Sequence, residues 1–205
     1  ARLRATGKLM EIRAANLRFS LEEAGAFLRR VMQVHLSEEH VRVLDERTEG
    51  WVAGLQLAAL SLAQSDDVST FVAEFSGSHR FVLDYLVEEV LDSLTEDQRR
   101  FLLQTSILRR FCAELCDAVT GRHDSAALLA DMDEANRFLI PLDQHRRWFR
   151  YHHLFRDLLA ARMPQDELDA AATLHARAAT WFEANGLRPE AIHHACAAGE
   201  HHHAA

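Results

Sequence analysis

Residues 138–151 read Phe138-Leu139-Ile140-Pro141-Leu142-Asp143-Gln144-His145-Arg146-Arg147-Trp148-Phe149-Arg150-Tyr151. Two short runs rich in β-branched and aromatic residues flank a polar tip, which is the pattern of a β-hairpin, and Pro141 is tolerable on an edge strand where its missing N–H costs no ladder bond. Three short helices are predicted before it. Thr95 with Gln98 is a capping box opening a helix that carries Phe101, Leu102 and Leu103; Leu115 and Val119 mark a second, ended by Gly121; Leu128, Leu129 and Met132 mark a third. Three helices followed by a hairpin, or wing, is the order of a winged-helix domain. After the wing, Leu154, Leu158 and Leu159 return the chain to helix as far as Met163-Pro164.

Upstream, Ser20 with Glu23 forms another capping box, and Leu21, Ala24, Phe27, Leu28 and Val31 share one helical face. A second helix starts behind Ser37 and carries Val41 and Leu44. The third begins after Gly50 and is apolar on nearly all sides through Trp51, Leu55, Leu57, Leu60 and Leu62, so it belongs at the centre of a small bundle. A short helix with Phe71, Val72 and Phe75 ends at Gly77, and an amphipathic one with Phe81, Val82, Tyr85, Leu86 and Leu91 follows. Downstream, an Ala-rich helix from Leu168 closes at Asn185-Gly186, and Pro189-Glu190 opens another with Ala191, Ala195 and Ala198 on one stripe. This pair, with Trp181 as its large core residue, resembles one tetratricopeptide-type unit and reads as the start of an array. Residues 1–19, with the apolar run Leu9-Met10-Glu11-Ile12, are too few to fold alone and read as the edge of a preceding domain. The expected fold is therefore mainly α: a helical bundle at 20–76, a winged-helix domain with one β-hairpin wing at 77–163, and the first helices of a TPR-like array at 166–205.

Composition supports a helical chain, since 8 Gly and 3 Pro in 205 residues supply too few turn formers for a sandwich or barrel. The net charge of −8, from 23 basic and 31 acidic side chains, disfavours nucleic acid as a partner. The third helix of the winged-helix motif, Asp124 to Asn136, sharpens this: it carries Asp124, Asp131, Asp133 and Glu134 without a Lys or Arg, and such a helix is repelled by the phosphates flanking a major groove. The basic residues sit instead around the wing, at Arg137, Arg146, Arg147 and Arg150. They read either as a solvated surface with local ion pairs or as a face for an anionic ligand.

The apolar run Val52 to Ala63 is too short and too interrupted to span a bilayer, and no signal peptide is visible, so a cytoplasmic location without membrane contact is expected. Cys112 and Cys116 read as reduced, partly buried thiols. The 13 histidines include the neighbours His152-His153 and His193-His194 and the run His201 to His203. Adjacent residues on a helix diverge by about 100°, so surface histidines are expected rather than a metal site. No Gly-rich phosphate loop, nucleophile elbow or metalloprotease motif occurs, and the chain is expected to catalyse nothing by itself.

Longer motifs carry a family resemblance. Leu17-Arg18-Phe19-Ser20 with Glu22-Glu23-Ala24, Thr48-Glu49-Gly50-Trp51-Val52-Ala53-Gly54-Leu55-Gln56-Leu57-Ala58, Asp84-Tyr85-Leu86-Val87-Glu88-Glu89-Val90, Phe101 to Leu108, and Arg150-Tyr151-His152-His153-Leu154-Phe155-Arg156-Asp157-Leu158-Leu159 resemble the central region of the large bacterial LuxR-family regulators of the MalT type. The resemblance implies a piece of a signal-transduction ATPase of the STAND class. In that class a P-loop nucleotide-binding domain precedes a helical domain, a winged helix and a helical-repeat sensor. A DNA-binding helix-turn-helix ends the MalT-type chains. Residues 1–19 would then be the last edge of the nucleotide domain. ATP or ADP with Mg would belong to the parent protein, and the partners would be its P-loop domain, its sensor and helix-turn-helix, and a small-molecule inducer.

The resemblance also implies site residues. Tyr151-His152-His153 aligns with a Met-His-Asp motif whose His contacts the β-phosphate of ADP and holds the off state, which makes His152 the leading functional residue; its other reading is a structural cap of the following helix. The departures, Tyr for Met and His for Asp, put the aspartate's role in question. Gly50-Trp51-Val52 occupies the place of a Gly-x-Pro motif lying against adenine, with Val52 replacing the proline, and Trp51 reads equally as a core residue. The wing residues Arg146, Arg147 and Arg150, read from their charge alone, are close in sequence and would face the anion if the wing is not simply solvated. The function implied is a lid that senses ADP or ATP and passes inducer binding on to oligomerisation and transcription activation. The alternative is a free-standing helical protein-interaction module with no nucleotide link; a P-loop encoded upstream of Ala1 separates the two. A DNA-reading winged helix is a further rival, opposed by the acidic third helix.

Overall fold

The computed structural model describes residues 17–63, 65, 67–77, 79–135, 138–163 and 165–199. The chain divides into two compact units, Ala1–Ser76 and Gly77–Ala205. The expected strand edge at Leu9 to Ile12, Arg137, and the His201 to His203 run lie outside the described residues.

In the first unit the caps form where local chemistry demands. The Glu23 N–H donates to Ser20 Oγ while the Ser20 N–H donates to the Glu23 carboxylate, satisfying two N–H groups at the start of α1 (Leu21–Arg30). Ser37 caps α2 (Glu38–Thr48) by accepting from the His40 N–H. The chain then turns through Glu49 and Gly50, both left-handed at φ 51° and 70°, into α3 (Val52–Leu62). Asp67 caps α4 (Val68–Glu74) through the N–H groups of Ser69 and Thr70. Leu28, Leu44, Leu55, Ala58 and Phe75 are fully buried at the centre of this bundle. The apolar α3 is as central as its composition requires, although Leu60 stays exposed.

The second unit runs α5 (Arg80–Glu89), one 3-10 turn at Leu91–Ser93, α6 (Glu96–Thr105), α7 (Ala113–Thr120) and α8 (Ser125–Glu134). Then come β1 (Leu139–Pro141), β2 (Phe149–Tyr151), α9 (His153–Ala161), α10 (Gln165–Ala184) and α11 (Arg188–Ala197). Thr95 and Gln98 make the expected capping box of α6, and Gly121, at φ 75°, closes α7. β1 and β2 pair antiparallel with Leu139 opposite Tyr151 and Pro141 opposite Phe149, so the wing is real and Pro141 lies on it. Asp143 orders the tip by accepting from the N–H groups of His145, Arg147 and Trp148, and these bonds hold its carboxyl below the ordinary range. Phe111 adds a bridge that its sequence context does not announce: its N–H and carbonyl both pair with Phe149 at 2.8 Å.

Beneath the wing, Tyr151 is buried against Phe111 and Phe155, and its hydroxyl lies 2.6 Å from Thr105 Oγ1. The Thr105 hydroxyl spends its proton on the Phe101 carbonyl, so Tyr151 is the donor to Thr105. Cys112 and Cys116 are free and more deeply buried than expected, and burial pushes the Cys112 thiol up to about 11.

The expectation of surface histidines is corrected at two positions. His152 is buried under the wing, and His194 is buried between α10 and α11, where Phe182 stacks on it and His175 Nδ1 lies 2.8 Å from its Nδ1. Each belongs to a neighbouring pair: His193 and His194 face different ways because adjacent helical positions diverge, whereas His152 precedes its helix with an extended backbone. No helix among the described residues is long and apolar enough to cross a membrane.

Candidate functional site

His152 sits between β2 and α9, in the N-cap position of that helix with φ −57° and ψ 141°. Its N–H donates to the Phe138 carbonyl and its carbonyl accepts from the Arg156 N–H, both at 2.9 Å, so the residue is held from the wing side and the helix side together. The side chain makes no capping bond to α9, which leaves the structural-cap reading to the backbone alone. The ring is 4% exposed and stands edge-on to Phe138, with centroids 5.8 Å apart.

Phe138 is the residue that sequence reasoning missed here. It has φ 57°, a left-handed conformation that costs a bulky side chain on the order of 1–3 kcal/mol and persists only where packing enforces it. The enforcement is visible: its ring stacks on Phe155 at 5.2 Å while its carbonyl takes the His152 N–H. Gly77 braces the other side. A Cβ there would stand 1.7 Å from the Leu154 carbonyl oxygen, so only glycine admits this approach, and the Gly77 N–H reaches the Asp157 carboxylate at 3.4 Å. Reading Gly77 only as a helix breaker overlooked a partner 77 positions away.

Arg146 and Arg147 do not gather around His152. Arg146, left-handed at φ 52°, is ion-paired with Asp133 of α8, and Arg147 lies 4.0 Å from Glu114 of α7. Both line a cleft of about 510 Å³ with Glu114, Asp133 and Phe149, and His152 is not among its lining residues. Arg150 donates to the Tyr151 carbonyl. Just before α8, Asp124 pairs with Arg122, and hydrogen bonds from that guanidinium hold its carboxyl below the usual range.

In the first unit, Gly50 meets the segment before α1: its carbonyl accepts the Phe19 N–H at 2.9 Å, and a Cβ on it would lie 2.3 Å from the Phe19 carbonyl oxygen. Trp51 is half-buried and folds over its own helix, so that a Cβ on Gly54 would come within 2.6 Å of the indole. Val52 starts α3. Trp51 thus fills a packing role, with part of its surface still open.

Residues 87–171 match the MalT winged helix domain family. The winged helix is of the MalT type. Over 207 and 203 residues the chain is 36% identical to the HTH-type transcriptional regulator MalT of Vibrio campbellii and of Klebsiella pneumoniae, covering 95% and 98% of its length. Over 199 residues, 97% of the chain, it is 38% identical to the serine/threonine-protein kinase PknK of Mycobacterium tuberculosis. The chain spans about a fifth of these relatives, 18% of the kinase and 22% of each regulator. The MalT-type resemblance carried by the motifs is therefore borne out, for a winged-helix region of the kind present in transcriptional regulators.

Proposed function

We propose that this MalT-type region is the regulatory switch of a nucleotide-controlled signalling protein, with His152 as its phosphate-sensing residue, and that it contributes no catalytic step of its own. The observation that carries the reading is the double anchoring of His152, by Phe138 and by Arg156, at the junction of wing and helix. A helix N-terminus favours an anion, and an imidazole there can donate to a phosphate oxygen. His152 and α9 fit such a group. Arg146 and Arg147 fit it less well, because Asp133 and Glu114 already engage them. In the parent protein, ADP with Mg would supply the charge that His152 reads. What the chain itself does is hold the ring in one orientation and keep most of it from water. Any nucleotide contact falls on a small accessible edge, and a modest shift of α9 would break it.

The acidic α8 supports an intramolecular role over DNA reading, since Asp133 is engaged by the wing and Asp124 by Arg122. Relatives named as a kinase and as transcriptional regulators share this same stretch, which supports a control module whose output lies elsewhere in the polypeptide. By the same reasoning the α10–α11 pair begins a sensor array for an inducer, and the parent is a cytoplasmic transcriptional activator of the LuxR family and STAND class. The test is His152→Ala in the full-length protein. Inducer-independent output is expected to rise; unchanged basal output removes His152 from the switch.

A further inference from the structure

A second cleft in the Gly77–Ala205 unit does not have His152 among its lining residues. It measures about 490 Å³ and is lined by Arg109, Leu142, Phe182, Glu190, His193 and His194 among others. Its size falls within the roughly 300–1,000 Å³ of small-molecule sites. Three segments build it: the residues just before the Phe111 bridge, the end of the wing, and the α10–α11 pair.

Its charges are unevenly spent. Arg110 is ion-paired with Glu190 and covers the Trp148 ring at 5.1 Å, so its guanidinium is used structurally. Arg109 stands exposed beside it, and among the described residues no ion pair engages its guanidinium. With Glu190 cancelled by Arg110, the cleft keeps one positive charge on a chain of net charge −8. The walls supply the rest of a recognition site. Phe182 is 1% exposed and stacks against His194, while Leu142 and Pro189 add apolar surface. His194 is buried with its Nδ1 engaged by His175, and it closes the floor of the cleft beside Phe182.

We propose that this cleft binds a small anion with an aromatic or apolar body, the anionic group held by Arg109 with a hydrogen bond from His193, and the body lying against Leu142 and Pro189 over a floor of Phe182 and His194. Its occupant touches both the winged helix and the helix pair, and so ties the two together. This site is independent of His152 and of the nucleotide reading.

The test uses the 205-residue chain. The ring resonances of His193 and His194 are followed by NMR during titration with phenyl phosphate, inorganic phosphate and phenol. The expected result is a saturable shift with phenyl phosphate, at least about tenfold weaker binding of the two half-ligands, and at least about a tenfold loss of phenyl phosphate affinity in Arg109→Ala. The Arg109→Ala melting temperature should stay at the wild-type value, because the replaced side chain is exposed, and Arg42→Ala on α2 should bind as wild type. Absence of a saturable shift, equal affinity for inorganic phosphate, or full affinity in Arg109→Ala would overturn the proposal.

Discussion

Replacing Gly77 by alanine tests whether the start of α9 is as tightly braced as the geometry states. The new Cβ would stand 1.7 Å from the Leu154 carbonyl oxygen, 2.6 Å from the carbonyl carbon and 3.0 Å from Cα. All three are backbone atoms in the first turn of a helix whose Leu154, Phe155, Leu158 and Leu159 are fully buried, so no flexible side chain can yield. Relief requires one backbone to retreat by more than an ångström. Overpacking of this kind costs about 3 kcal/mol, and the stretched Gly77–Asp157 hydrogen bond is lost with it. For a unit of this size that lowers Tm by about 10 °C. The assay is thermal unfolding in a Trp51→Phe background, where fluorescence reports Trp148 and Trp181 of the second unit alone. Gly186→Ala is the control: it has φ 74° but nothing within 4 Å, so only the left-handed backbone penalises it, by about 1 kcal/mol. A Gly77→Ala protein melting within about 2 °C of wild type, or no lower than Gly186→Ala, would refute the reasoning.

Two further outcomes follow from buried polar pairs. Burial first, then His175, His193 and Arg109, lowers the His194 pKa to about 4, so the fold holds this ring neutral. The unfolded chain takes up the proton near pH 6.5, so this contribution is complete above that pH. As the pH falls from 6.5 towards 4 it is lost, by on the order of 3 kcal/mol. Urea midpoints at pH 7 and 4.5 measure the loss, and His194→Leu should flatten the dependence; an equal slope in the variant contradicts the assignment. At the Tyr151–Thr105 bond, Tyr151→Phe removes a donor but leaves Thr105 bonded to Phe101, at about 1 kcal/mol, whereas Thr105→Val strands the buried phenol and should cost about 1–3 kcal/mol. Equal losses in denaturant titrations would contradict the donor assignment.

The parts of this fold that were legible in the sequence are those set by neighbours along the chain. The capping boxes at Ser20 and Thr95, the left-handed close at Gly121 and the wing from Leu139 to Tyr151 each rest on residues a few positions apart. What escaped depends on distant partners. The Phe111 bridge is a single residue without a strand pattern, His194 is buried by a helix 19 residues back, and Gly77 meets Leu154. The site divided in the same way. His152 was named from its place in a motif, but the left-handed Phe138 that holds it leaves no mark in composition or periodicity. The wing arginines were visible as charges, and only the fold shows Asp133 and Glu114 opposite two of them.

The central claim, that His152 reads the bound nucleotide, is tested most directly by the rate at which the full-length protein releases a fluorescent ADP analogue. A hydrogen bond from an imidazole to a phosphate contributes about 1.5–3 kcal/mol, so His152→Ala should speed release by about tenfold or more. His145→Ala, at the exposed wing tip, should leave the rate unchanged. Release from His152→Ala at the wild-type rate would contradict the account.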